Sequence, residues 1–259
     1  MASPIHQSII TQLNDKIMTS RATLPANLRQ QTQVLWGEKF DSFRGQWSES
    51  RKVPDLGIEV CNTDNEMELK WVLEVGFSET YEQLKNDTQL WLEGSSQISM
   101  VTIVGFCETP RYHCPLPIFD ETGEELDPRE AVGIPSDLTA ICEKNVILEG
   151  DYGPATYKGL RWVGQISEGW METWVRDIHG KVIQRSNRVD LLHANKVELD
   201  FGDFLPPSYP QTITINLEDF RLTLQRSIRK VAASRCKNAL HTYLKRHGEV
   251  QGDDPDYQP

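Results

Sequence analysis

Two carboxylates stand at a spacing that suits chemistry on a phosphate. Asp55 follows Pro54 at the start of a short β-rich run, Leu56-Gly57-Ile58-Glu59-Val60. Glu74 lies nineteen residues further on, inside the apolar run LKWVLEVGF from Leu69 to Phe77. Neighbouring strands lie about 4.8 Å apart, so acids at matching depth on two of them converge on one divalent cation. Oxygen donors on a rigid sheet, with the other positions left to water and phosphate, are what Mg²⁺ takes. Such an ion polarises a phosphoryl oxygen and makes hydroxide available near neutral pH. Without that role, a carboxylate inside an apolar strand is a costly buried charge in need of a partner. The plainer alternative is that Asp55 caps a turn and Glu74 pairs with Lys70 or Arg51.

The flanking pattern says which elements must hold the two acids. An acidic turn, Asn62 to Glu68, separates the two runs, and LKWVLEVGF reads as a strand buried on both faces. Ser78 then suits an N-cap for a helix whose stripe is Tyr81, Leu84, Thr88, Trp91 and Leu92, with Gly94 just past its end as a left-handed cap. Ile98 to Phe106 is a further apolar strand, so strand, helix and strand form a crossover unit. Upstream, Pro4 to about Ser20 has helical spacing with Ser3 as N-cap, while Leu24 to Ser50 fits helix or hairpin equally. Residues 107–135, rich in Pro and acid, read as a surface excursion. Short strands populate 145–200, with His179-Gly180 a hairpin turn, and Pro206, Pro207 and Pro210 mark a linker. A closing helix runs over 217–245 with Phe220, Leu224, Ile228, Val231, Cys236, Leu240 and Tyr243 as its apolar stripe, and 251–259 reads as a disordered tail.

Composition narrows the class without choosing a function. The chain has 259 residues, 38% hydrophobic and 25% charged, which suits one globular domain over 1–250. The start, MASPIHQSIITQLNDKIM, is too polar for a signal peptide, and no apolar run nears the roughly 18 residues that span a bilayer. Five scattered cysteines do not form a disulfide framework. An intracellular protein of cytoplasm or nucleus, without membrane contact, is expected; the oligomeric state is left open. The net charge of −11 argues against coating nucleic acid through global attraction. Yet Arg221, Arg226, Arg229, Lys230, Arg235, Lys237, Lys245 and Arg246 stand in 221–247 without one acid, leaving 19 bases elsewhere against 38 acids. That basic helix either docks on acidic surface of its own chain or stays solvated, or it meets nucleic-acid phosphates or an acidic partner through 221–246. Cys107, His113 and Cys114 lack the second pair a zinc site needs. Trp162, Trp170 and Trp174 fit core packing better than a stacking platform.

The segments RKVPDLGIEV, WVLEVGFSETYEQLKNDTQLWLEGSS and ISMVTIVGF together resemble the core of the PD-(D/E)XK nuclease superfamily, the restriction-endonuclease-like fold, over residues 51–106. The likeness is greatest to its uncharacterised fungal branch. It implies an α/β protein with an αβββαβ core and a mixed sheet, here carrying a β-rich insertion and a C-terminal basic helix. It further implies a hydrolase of nucleic-acid phosphodiesters, with Mg²⁺ or Mn²⁺ held by Asp55 and Glu74. The motif's lysine, which orients the attacking water and stabilises developing negative charge, falls on Gly76. On the following helix Lys85 is the candidate to replace it, and Glu38 is an extra acid from an earlier element. The other reading is a catalytically silent scaffold or binding module on the same fold.

Overall fold

The computed structural model describes residues 3–202, 204–205 and 212–249. The linker prolines Pro206, Pro207 and Pro210 and the tail 251–259 lie outside the described residues. In chain order the elements are α1 (Pro4–Ala22), α2 (Ala26–Arg29), β1 (Thr32–Leu35), β2 (Leu56–Cys61), β3 (Met67–Phe77), α3 (Tyr81–Gly94), β4 (Met100–Thr109), β5 (Ile118–Phe119), β6 (Glu125–Leu126), α4 (Pro128–Ala131), β7 (Ile147–Leu148), β8 (Ala155–Tyr157), β9 (Leu160–Val163), β10 (Gln165–Arg176), β11 (Val182–Gln184), β12 (Val189–Asp190), β13 (Lys196–Asp200), β14 (Thr212–Asn216) and α5 (Leu217–Arg246). The protein is a mixed α/β chain with a mixed sheet and a C-terminal helix. Its contacts fall into two compact units, where the sequence suggests one domain. One comprises Ser8–Cys107 and Glu168–Arg221, and the other Met1–Gln7, Glu108–Ser167 and Leu222–Pro259.

The first unit is built on a sheet of order β1-β2-β3-β4-β10-β11, with β12 also paired to β10. The β1, β2 and β3 strands form an antiparallel meander, and β3 and β4 run parallel with α3 as their crossover. The β3 strand is buried on both faces because two layers cover it. Leu69 and Val72 join Leu84, Trp91, Leu92, Ile103, Trp170 and Trp174 in one cluster, while Trp71 meets Phe201 edge-on at 5.3 Å. Strands of the 145–200 stretch are therefore not all an insertion, since β10, β11 and β12 extend this sheet. The turn between β10 and β11 is the expected one: Asp177 accepts from the N–H groups of His179 and Lys181, and Gly180 takes φ +79°.

Two local expectations change. The α3 helix starts two residues later than Ser78 suggests, because Thr80 forms the capping box with Gln83 and Ser78 sits at φ +77° in the preceding turn. Gly94 is the helix's last residue and is small for a packing reason. A Cβ there would lie 2.9 Å from Phe43 Cδ1 and 3.1 Å from Trp47 Cβ. The unsettled stretch Leu24 to Ser50 contributes α2, β1 and the rings of Phe40 and Phe43, which stand 5.5 and 5.2 Å from Trp91.

The second unit holds the β5–β6 hairpin, α4, the three-stranded β7-β8-β9 sheet and most of α5. All seven apolar residues of the expected α5 stripe are buried. Arg235 of this helix reaches the buried Glu108 with both ends of its fork, at 2.7 and 2.9 Å, and Arg246 pairs with Glu125. Within the first unit, Arg221 donates to the Ala194 carbonyl. Arg229 also donates to the Gln225 carbonyl at 3.5 Å, so at least four of the eight bases meet partners within the chain. Among the described residues no helix is long and apolar enough to cross a membrane.

Candidate functional site

Register brings the two acids together. Leu56 pairs with Leu73 in the antiparallel β2–β3 ladder, with Asp55 just before the one and Glu74 just after the other, close enough that the charge of Asp55 acts on Glu74. Asp55 bonds to β3 from just before β2. Its N–H donates to the Leu73 carbonyl at 3.2 Å, and its Oδ2 accepts from the Val75 N–H at 2.7 Å. It therefore ties two strands beside Glu74 instead of capping a turn.

Glu74 is 7% exposed and faces α3. The indole Nε1 of Trp91 donates to its Oε1 at 2.6 Å, which fixes the carboxyl rotamer. Its Oε2 lies 3.6 Å from the Lys52 ammonium, which also contacts Asp87 Oδ2. Neither Lys70 nor Arg51 is the partner; Lys70 bonds Glu68 at 2.5 Å. Burial lifts the Glu74 pKa most, Lys52 opposes that, and the nearby charges of Asp55 and Asp87 add to it, so the group titrates at about 8. Burial pulls Lys52 down, but Glu74, Asp87 and Glu79 outweigh it and hold the ammonium above its ordinary value.

Lys52 is the residue that motif reading misses. It lies three positions before Asp55, and a two-way backbone bridge with Phe40, at 2.7 and 2.9 Å, sets its course. The available signal was its place in the RKVPD segment, which spacing along β3 does not single out. Position 76 is tight. A Cβ on Gly76 would lie 2.9 Å from Leu84 Cδ1 and 3.0 Å from Glu79 Oε2, so a side chain requires both to turn aside.

Lys85 is held elsewhere. Its ammonium lies 5.0 Å from the Trp174 ring centre and 5.8 Å from that of Tyr81, and no described contact joins it to Asp55 or Glu74. Glu38 is exposed and acts on Glu59, whose pKa is raised by burial first and Glu38 second. Trp162, Trp170 and Trp174 are core residues, at 0%, 8% and 8% exposure. Cys107 and His113 are exposed and Cys114 is half-buried.

The donors fit some ions better than others. Among the described residues no three His, Cys, Asp or Glu side chains converge on a common point. That excludes a closed four-ligand zinc centre among them. Two carboxylates and an ammonium are the charged groups gathered here, and both oxygens of the inner acid face the donors Trp91 and Lys52. Compared with protein-family models, with curated proteins and with solved structures, the chain finds no match in any of the three.

Proposed function

We propose that this protein is a metal-dependent phosphodiesterase of the PD-(D/E)XK nuclease type, acting on nucleic acid, with Lys52 in the lysine role. The observation that carries the reading is the constellation itself: Asp55 at the entry to β2, near enough for its charge to act on Glu74 of β3, and one ammonium 3.6 Å from that inner acid. The element order α1, β1, β2, β3, α3, β4 with a mixed sheet agrees with the αβββαβ core that the resemblance implies. Asp55 and Glu74 would hold Mg²⁺ or Mn²⁺, and the bound ion supplies Lewis-acid polarisation of a phosphoryl oxygen and a water of lowered pKa.

The chain's own groups do the rest. Trp91 fixes Glu74, and the Val75 N–H fixes one oxygen of Asp55. Glu74 first and Asp87 second favour the Lys52 ammonium against burial, and Asp87 contacts it beside Glu74. From there Lys52 can donate to the attacking water or to a phosphoryl oxygen as negative charge develops, the task Gly76 cannot perform.

A second reading, a catalytically silent scaffold, draws on a specific feature: both Glu74 oxygens already face internal donors, Trp91 and Lys52. Mn²⁺ titration of the full chain separates the two. A saturable change that Asp55→Ala and Glu74→Ala each remove, together with Mn²⁺-dependent cleavage of a DNA or RNA strand, is the expected outcome. Absence of any saturable change leaves the scaffold.

A further inference from the structure

Arg188 is held by Glu172 and two aromatic rings. The α3-facing side of the sheet is continuous from Glu74 to this residue. Gly76 on β3 is in register with Gly105 on β4, and the Trp170 indole lies on Gly105, where a Cβ would come within 2.3 Å of Cζ2. Trp170, Glu172 and Trp174 alternate along β10 on this same face. Two strand spacings put their column roughly 10 Å from that of Glu74.

Glu172 is 3% exposed, and all its partners are side chains. Tyr81 Oη and Trp174 Nε1 each donate to Oε2 at 3.2 Å, and Arg188 Nε donates to Oε1 at 2.7 Å. The guanidinium also lies 4.3 Å from the Trp170 ring centre and 4.8 Å from that of Tyr81. One edge of Arg188 is therefore committed and its guanidinium sits against two rings, yet its side chain is 42% exposed and Glu172 is its one acidic partner among the described residues. A surface guanidinium seldom has its orientation determined on so many sides. Neutralising Glu172 requires only a charge, which Lys85, close to both Tyr81 and Trp174, could deliver. A stacked, Nε-anchored fork instead presents its outer N–H groups in a fixed plane, the geometry that binds two phosphoryl oxygens at once.

We infer that Arg188 anchors a phosphate of the substrate strand next to the one addressed by Asp55, Glu74 and Lys52. The inference rests on the phosphodiester reading for its ligand and goes beyond it in naming the contact. Pairing on Glu172 and stacking on Trp170 remove the side-chain entropy that a free arginine would lose on binding.

The test is fluorescence anisotropy of the full chain with a short labelled DNA strand, single and duplex, in EDTA, so that no cleavage is involved. Arg188→Gln alone would strand a buried carboxylate, so Arg188→Gln/Glu172→Gln is the principal variant. Its amide oxygen at 172 still accepts from Tyr81 and Trp174, and thermal melting checks the fold. The expected result is binding about tenfold weaker, with a log-log salt slope smaller by about one. Arg188→Lys, which keeps the charge and loses the fork, should fall between. Wild-type affinity and slope in the double variant overturn the inference, as does a wild type that binds neither strand in a salt-dependent way. The outcomes separate the two readings. Arg188-dependent binding without Mn²⁺-dependent cleavage retires the hydrolase and keeps the anchor. Cleavage that needs Asp55 and Glu74 but ignores Arg188 retires the anchor alone.

Discussion

Glu74 carries the largest electrostatic cost in the candidate site, and that cost has a sign. Its pKa is raised to about 8 in the folded chain, against an ordinary value near 4.5 when unfolded. Between those values the folded state holds a proton that the unfolded state has lost, so stability declines as pH rises from about 5 to about 8. Glu74→Gln removes the titration. Urea unfolding should show wild type losing stability relative to this variant across that window, on the order of a few kcal/mol. A difference that stays flat with pH would mean Glu74 is already ionised. The same proton competes with a metal, so apparent Mn²⁺ affinity is expected to climb up to about tenfold per pH unit from 6 to 8 and level off above, as read by titration calorimetry. Lys52 and Lys85 make a clean pair for comparison. Lys52→Met should lower metal-dependent cleavage by at least about a hundredfold, while Lys85→Met should leave kcat within a few-fold. Equal losses in both would place the lysine role elsewhere.

At the scale of elements, the site depends on how α3 is pinned over β3 and β4. Thr80 caps the helix and exchanges bonds with Gln83, so Thr80→Ala is expected to cost about 1 kcal/mol in chemical denaturation. Ser78→Ala should cost less as a cap, since Thr80 holds that position. Gly105 has a stricter demand on it. A methyl there would overlap the Trp170 ring at 2.3 and 2.5 Å, and the indole is a rigid neighbour lying in a packed face. Gly105→Ala should therefore displace Trp170, visible as a changed tryptophan emission, and destabilise by about 1–3 kcal/mol. Unchanged emission and stability would mean the ring has room to retreat. Gly76 differs because its two nearest neighbours are the ends of the Leu84 and Glu79 side chains, which can rotate, although Glu79 Cβ at 3.2 Å cannot.

The whole molecule carries −11, and the cationic segment 221–246 does not stand apart from that balance. Arg235 is the strongest case. Its fork holds Glu108, whose side chain is 2% exposed and also accepts from the Gly164 N–H at 2.7 Å. Arg235→Ala leaves that carboxylate buried and unpaired, a loss of about 3–5 kcal/mol by denaturant titration, whereas Arg235→Met/Glu108→Gln should recover most of it. What was readable in the linear chain is what short range decides: the α1 and α5 stripes, the β3 and β4 runs, the crossover helix between them, and the pair Asp55 and Glu74. Apolar periodicity and turn residues act within a few positions of one another, so composition reveals them. Three things were not readable there. Lys52 reaches Glu74 only because its backbone bridges to Phe40 and its ammonium is drawn to Asp87 on α3. The strands after 165 join the main sheet through hydrogen bonds to β4, a pairing some sixty residues distant in sequence. Arg188 meets Glu172 and two aromatic rings only once β10, β12 and α3 share one face. Local sequence determined which segments become strands and helices and which acids they carry. Tertiary packing alone decided which cation answers each buried acid, because a charge removed from water takes whichever partner the fold brings within hydrogen-bond reach.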